Sequence, residues 1–136
     1  MKTTYKIRVL LLVTLTVFCS YNKIYAQQKD QMVRISEIEI KPGYLQEYKA
    51  ILKEESEASI RLEPGVIAIF PMFQKDNPTQ VRILEIYADR KSYELHLKTP
   101  HFQKYKTSTL NMVKALRLVD MDVLDTGMMP SLFKKL

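Results

Sequence analysis

The sequence predicts an α+β fold of the ferredoxin-like kind, ordered β-α-β-β-α-β around an antiparallel sheet. Three observations predict it. The apolar residues switch along the chain between the two-residue period of a strand and the 3.6-residue period of a helix. The pairs Pro42-Gly43 and Pro64-Gly65, and the run Lys75-Asp76-Asn77-Pro78, stand at the switches. The chain has only 136 residues, which favours a single core.

Each element follows from its own residues. Met32 to Ile40 is rich in β-branched residues and reads as the first strand. From Tyr44 to Leu62 the apolar positions Leu45, Tyr48, Ile51, Leu52 and Ile60 recur at helical spacing. Glu47, Lys49, Lys53, Glu54 and Glu57 take the other face. Pro64-Gly65 ends that helix. Val66 to Gln74 and Gln80 to Tyr87 read as two strands of a hairpin. Asp89 is placed to cap a short helix running to about Lys98. Thr99-Pro100 breaks it, and Pro100 suits the first turn of a further helix reaching about Leu116. Arg117 to Leu124 is the last strand, and residues 125–136 form a tail.

The first 26 residues stand apart. Lys2, Lys6 and Arg8 precede the apolar run Val9 to Phe18, which is short of the ~20 residues a membrane span needs. Ala26 then suits a cleavage site, so residues 1–26 read as a secretory signal and 27–136 as the exported, periplasmic domain, with its core at 32–124. An uncleaved anchor is one alternative. Acylation at Cys19 is another, although the bulky Phe18 before it departs from lipoprotein signals.

Composition narrows the function. Cys19 is the only cysteine, so a chain cut after Ala26 has no disulfide, thiolate nucleophile or cysteine metal site. Residues 1–26 hold four of the 21 basic residues and none of the 15 acidic ones, leaving the remainder at a net charge of +2. That is too little for a nucleic-acid footprint, and Lys134-Lys135 reads as a solvated tail. The strands are apolar on both faces: Val66, Ala68, Phe70 and Met72 alternate with Ile67, Ile69 and Phe73. Helices cover one face of a single sheet, so the other is expected to meet a second copy in a homodimer.

Four stretches resemble one family. They are Leu62-Glu63-Pro64-Gly65-Val66, Asp76-Asn77-Pro78-Thr79, Leu84-Glu85-Ile86-Tyr87-Ala88-Asp89 and His96-Leu97-Lys98-Thr99-Pro100-His101-Phe102. Together they resemble the antibiotic biosynthesis monooxygenase (ABM) proteins, in particular those described as quinol monooxygenases. The resemblance spans roughly Met32 to Leu124. It implies a dimeric α+β barrel with a site between sheet and helices. It also implies oxidation of a small quinol or phenolic aromatic by O2 without metal, flavin or haem. A related branch isomerises phosphorylated autoinducer-2 and shares the Thr-Pro-His pattern and an ending like Gly127-Met128-Met129-Pro130. Haem-degrading relatives use a tryptophan, which this chain lacks. A signal peptide departs from the family's usual cytoplasmic setting. A small-ligand-binding dimer without catalysis remains a separate reading.

The candidate site residues cluster late in the chain. His96 and His101 are its only histidines. His96 has a side chain suited to proton transfer near neutrality, so it is the expected base, unless it only ties helix to sheet. Glu85 lies on an otherwise apolar strand face with Val81, Ile83 and Tyr87, where a carboxylate needs a partner. It is expected to orient His96, to accept a substrate proton, or to hold the fold. Tyr87, His101, Phe102, Phe70 and Phe73 are the expected substrate-binding residues. Each also has an ordinary reading, as core for the aromatics and as a solvated helix end for His101. Two histidines five residues apart across a proline do not share one helix face, so no metal is expected. Partners are then a small aromatic, O2 and a second copy of the chain.

Overall fold

A computed structural model describes residues 30–128, 131 and 134. Residues 31–125 form one compact unit, and Thr126–Met128 belong to another. The expected signal, its cleavage site, Cys19 and Met129-Pro130 lie outside the described residues. In the terminal unit, Thr126–Met128 forms one 3₁₀ turn. Among the described residues no helix is long and apolar enough to cross a membrane.

The larger unit is the expected α+β arrangement, with the second helix in two pieces. Its elements are β1 (Met32–Ile40), α1 (Leu45–Leu62), β2 (Val66–Phe73), β3 (Gln80–Tyr87), α2 (Arg90–His96), α3 (Pro100–Thr109) and β4 (Val113–Met121). The four strands form one antiparallel sheet in the order β2-β3-β1-β4. This is the ferredoxin-like order, with β1 and β3 central and the helices on one face.

Period-two burial in β1 shows which face the helices cover. Arg34, Ser36, Ile38 and Ile40 are buried and alternate with half-buried residues. Val81, Ile83 and Tyr87 of β3 point the same way, as the alternation predicts. Tyr48 and Leu52 of α1 close over Ile38, Ile40, Val81 and Ile83 to make the core, and Met112 joins it. Asp89 caps α2 as expected, its Oδ1 accepting from the Ser92 backbone N–H at 2.7 Å. Thr99 caps α3, its Oγ1 accepting from the Phe102 N–H at 3.3 Å, and Pro100 fills the first turn.

Three details differ from the sequence reading. First, α3 ends at Thr109 rather than near Leu116, and β4 starts at Val113 rather than Arg117. Leu110, Met112, Val113 and Leu116 mimic a helical stripe, but the chain turns at Asn111. Met112 is buried there, and its carbonyl accepts from the Lys41 N–H at 2.9 Å, so Val113 already pairs with Ile40. Second, an irregularity between Val66 and Ala68 shifts the phase of β2. Val66 and Ile69 are therefore both buried under the helices, whereas strict alternation would separate them. Third, the buried face of α1 does not stay apolar. Beyond Leu52 it carries Glu55, Ser56 and Ser59, while Ile60 points to solvent.

The sheet face away from the helices is divided. One part carries Val33, Ile35, Leu84, Ala68 and Phe70, with Phe70 60% exposed. The other carries a ladder of charges, in which Glu37 pairs with Arg117 and Arg82, and Glu39 with Lys114.

Candidate functional site

The polar residues buried under α1 mark the site. Between the helices and the sheet lies a cavity of about 610 Å³. Leu52, Ile69, Ile83, Leu97 and Phe102 give it apolar walls, and His96, Glu55, Glu85, Tyr87 and Arg34 give it polar ones. A mostly apolar chamber with a few convergent polar groups is the usual form of a small-molecule site.

His96 is the last residue of α2, and its side chain is 4% exposed. Its Nδ1 lies 3.0 Å from Oε1 of Glu63, the residue that ends α1. Nε2 of His101, the second residue of α3, lies 2.5 Å from the same oxygen. One carboxylate oxygen thus gathers both histidines of the chain. Nε2 of His96 is turned toward Oε1 of Glu55 at 3.7 Å, too far for a direct hydrogen bond. Phe102 packs its ring 4.6 Å from the His96 ring and Tyr87 packs at 5.5 Å, which fixes the imidazole plane.

Burial works against ionisation of Glu63, but the hydrogen bonds from His101 and His96 outweigh it and hold this carboxyl below its usual range. Glu55 behaves oppositely. Burial pushes its carboxyl up, against hydrogen bonds from Ser59 and Ser56 and the nearby His96. Its oxygens accept from Ser59 Oγ at 2.8 Å and Ser56 Oγ at 3.4 Å.

Glu85 forms a separate polar group on the cavity floor. It accepts from Ser36 Oγ at 2.5 Å and from the Tyr87 hydroxyl at 2.9 Å. Burial raises the Tyr87 phenol, and the neighbouring Glu85 raises it further. The Tyr105 phenol on the cavity wall is raised to about 12, by burial against a hydrogen bond from Tyr48. Arg34 is buried on the same floor, with its guanidinium on Asp120 at 2.5 Å and over the Tyr93 ring at 4.5 Å.

Of the residues singled out in the sequence, the fold brings His96, Glu85, Tyr87 and Phe102 to this cavity. His101 stands behind His96, outside the cavity wall, with an 18% exposed side chain that is held by Glu63 rather than free in water. Phe70 and Phe73 are not in the wall. Their spacing of three puts them on opposite faces of β2: Phe70 on the far face, Phe73 under the Lys49 ammonium at 4.6 Å. The partner of His96 is Glu63, and Glu85 instead binds Ser36 and Tyr87. The two histidines also meet on one point despite their spacing, because Pro100 starts a new helix and Glu63 arrives from α1. Glu63, His96 and His101 are the one group among the described residues whose donor atoms, all within 4.8 Å, have the spacing of a metal site.

Glu55 and Glu63 are the functional candidates the sequence reading missed. Glu55 was visible as a carboxylate on the Tyr48–Leu52 stripe of α1, where burial was expected. Glu63 carried no local signal, since its partners lie 33 and 38 residues away.

The fold is α+β, with a chamber between the sheet and the helices. Residues 32–108 match the family described as antibiotic biosynthesis monooxygenase, and the chain belongs to that family. It is similar to a crystal structure of a candidate antibiotic biosynthesis monooxygenase from Bacteroides thetaiotaomicron. The two are 51% identical with a TM-score of 0.71, over 72% of this chain and 93% of that one. It is 28% identical to a candidate monooxygenase from Lactobacillus acidophilus, with a TM-score of 0.67, over 68% of this chain but 44% of that one. A candidate antibiotic biosynthesis monooxygenase from Nitrosomonas europaea shares the fold at 24% identity and a TM-score of 0.66, over 69% and 90% of the two chains. No protein of curated function matches.

Proposed function

We propose that the chain is a cofactor-independent monooxygenase that oxidises a small quinol or phenolic aromatic with O2. The observation that carries this reading is the buried His96 in the wall of a largely apolar cavity of about 610 Å³, with a carboxylate fixed behind it. Ionised Glu63 accepts from Nδ1–H and so sets the tautomer. Nε2 is then the basic atom, on the side of Glu55 and the cavity. It takes the proton of a quinol hydroxyl. The phenolate passes one electron to O2, and the resulting radical pair combines at carbon. Loss of water from the hydroperoxide leaves a hydroxyquinone, so quinol plus O2 gives hydroxyquinone plus water. The apolar walls suit an aromatic ring, and Glu85 with Tyr87 offers a hydrogen-bonding point for its second oxygen.

The test is O2 uptake by the purified protein with menadiol-type quinols, measured against the quinol's own autoxidation. Uptake no faster than autoxidation across such a panel would replace this reading with that of a non-catalytic ligand-binding protein.

The working unit on this reading is a homodimer. Phe70, Met72 and Met121 are exposed on the far sheet face, and Leu116 and Leu118 are exposed beside the cavity. Light scattering at micromolar concentration is expected to give twice the chain mass, and a stable monomer would refute the assignment. The protein is also proposed to be exported, on the charged and apolar character of residues 1–26. Intact mass of protein from the cell envelope should correspond to a chain starting at Gln27. A mass that retains residues 1–26, or a lipid on Cys19, would contradict cleavage after Ala26.

A further inference from the structure

We propose that Glu63, His96 and His101 form a site for one divalent transition-metal cation of the zinc class, opening to solvent beside His101 rather than into the cavity. The donors come from three places in the fold: the end of α1, the end of α2 and the start of α3. Their ligand atoms nevertheless lie within 4.8 Å of one another. Two imidazoles and one carboxylate suit zinc and its late first-row neighbours, whereas magnesium and calcium prefer oxygen ligands throughout. Three protein ligands leave a fourth position for water.

The geometry needs a local adjustment on the exposed side. Zinc–ligand bonds of ~2.0–2.2 Å in a tetrahedron hold the ligand atoms ~3.3 Å apart. Oε1 of Glu63 stands 3.0 Å from His96 Nδ1 and 2.5 Å from His101 Nε2. The carboxylate has to withdraw by roughly an ångström or less, and the more exposed His101 ring has to swing toward His96, because the two ring nitrogens are bounded only by the 4.8 Å span of the group. The hydrogen bonds the carboxylate gives up are the ones the metal replaces.

The surroundings have the form of a metal site as well. A metal-bound imidazole commonly turns its other ring nitrogen to a carboxylate, which fixes the ring. His96 Nε2 faces Glu55 at 3.7 Å, and Glu55 is itself held by Ser59 at 2.8 Å. Neither Glu63 nor His101 is in the cavity wall, so the cation would enter past the partly exposed His101. Such binding needs no oxidation chemistry and is measured without substrate. It would bear on the proposed reaction in one way: with a metal on Nδ1, Nε2 keeps its proton, and the loaded form has no base at His96.

The chain offers an unusually clean test, because it has no other histidine. The whole protein, free of any affinity tag and stripped with a chelator, is titrated with zinc chloride in a calorimeter. One zinc per chain is expected. His101→Ala and Glu63→Gln should each weaken binding by about tenfold or more, since each removes one of three ligands. Cobalt(II) chloride should give visible absorption bands that zinc abolishes. Imidazole nitrogen NMR of the unaltered protein supplies a readout that needs no variant: zinc should move the signals of both rings together. The absence of saturable one-to-one binding, equal affinity in a folded His101→Ala protein, or unmoved imidazole signals would each overturn the site. A shared His–carboxylate–His hydrogen bond would then be its whole role.

Discussion

His96→Ala is expected to lower quinol-dependent O2 uptake by ~10²–10⁴-fold, the usual loss on removing a positioned general base. The imidazole stands where α2, the cavity and Glu63 meet, and Glu63, the carboxylate hydrogen-bonded to it, cannot take over its task. Glu63 lies outside the cavity wall and is held ionised by the two histidines. The protein should remain folded, because the sheet and the Tyr48–Leu52 core do not depend on this ring. Glu85→Gln should produce a smaller fall in rate and a loss of stability of about 1–3 kcal/mol, since an amide cannot accept from both Ser36 and Tyr87 as the carboxylate does. Full activity in a folded His96→Ala protein would remove the proposed base.

Gly65→Ala should destabilise the protein by about 1–3 kcal/mol, the typical cost of overpacking. A Cβ on Gly65 would stand 2.3 Å from Ser92 Oγ and 2.5 Å from Ser92 Cβ. The hydroxyl alone could rotate away, but the Cβ moves only with α2. Ser92 is also fixed by Asp89, which accepts from both its N–H and its Oγ at 2.7 Å. Relieving the clash therefore means shifting α2, which carries His96. For a domain of about 100 residues each kcal/mol corresponds to roughly 4–8 °C in Tm. Thermal unfolding of Gly65→Ala, Ser92→Gly and the double variant forms a cycle, in which Ser92→Gly should recover most of the loss. A Gly65→Ala protein with unchanged Tm would show that α2 yields freely.

The legible parts of this fold were the locally determined ones. The limits of β1 and β3, the Asp89 cap and the Pro100 helix start follow from periodicity and capping chemistry within a few residues. The misread boundary between α3 and β4 depends on Lys41 capturing the Met112 carbonyl, a contact across 71 residues that no local pattern announces. The face of Phe70 depends on a one-residue irregularity at the start of β2. His96 and Glu85 were visible because a titratable group in an apolar segment is unusual. Their true partners were not, since Glu63 meets the histidines only after α1 crosses the sheet and α2 folds back onto its end.

Leu116 and Leu118 belong to the cavity wall and are also 58% and 47% exposed. The same two side chains therefore serve the chamber and the surface that a second copy would cover. If that copy seats there, assembly and closure of the chamber become one equilibrium governed by mass action, and the gain for the closed form grows with the concentration of free partner. Rate per molecule would then fall on dilution, and a small aromatic that fills the chamber would draw monomers together. Substitutions at Leu116 or Leu118 could not tune ligand fit without also moving the association constant.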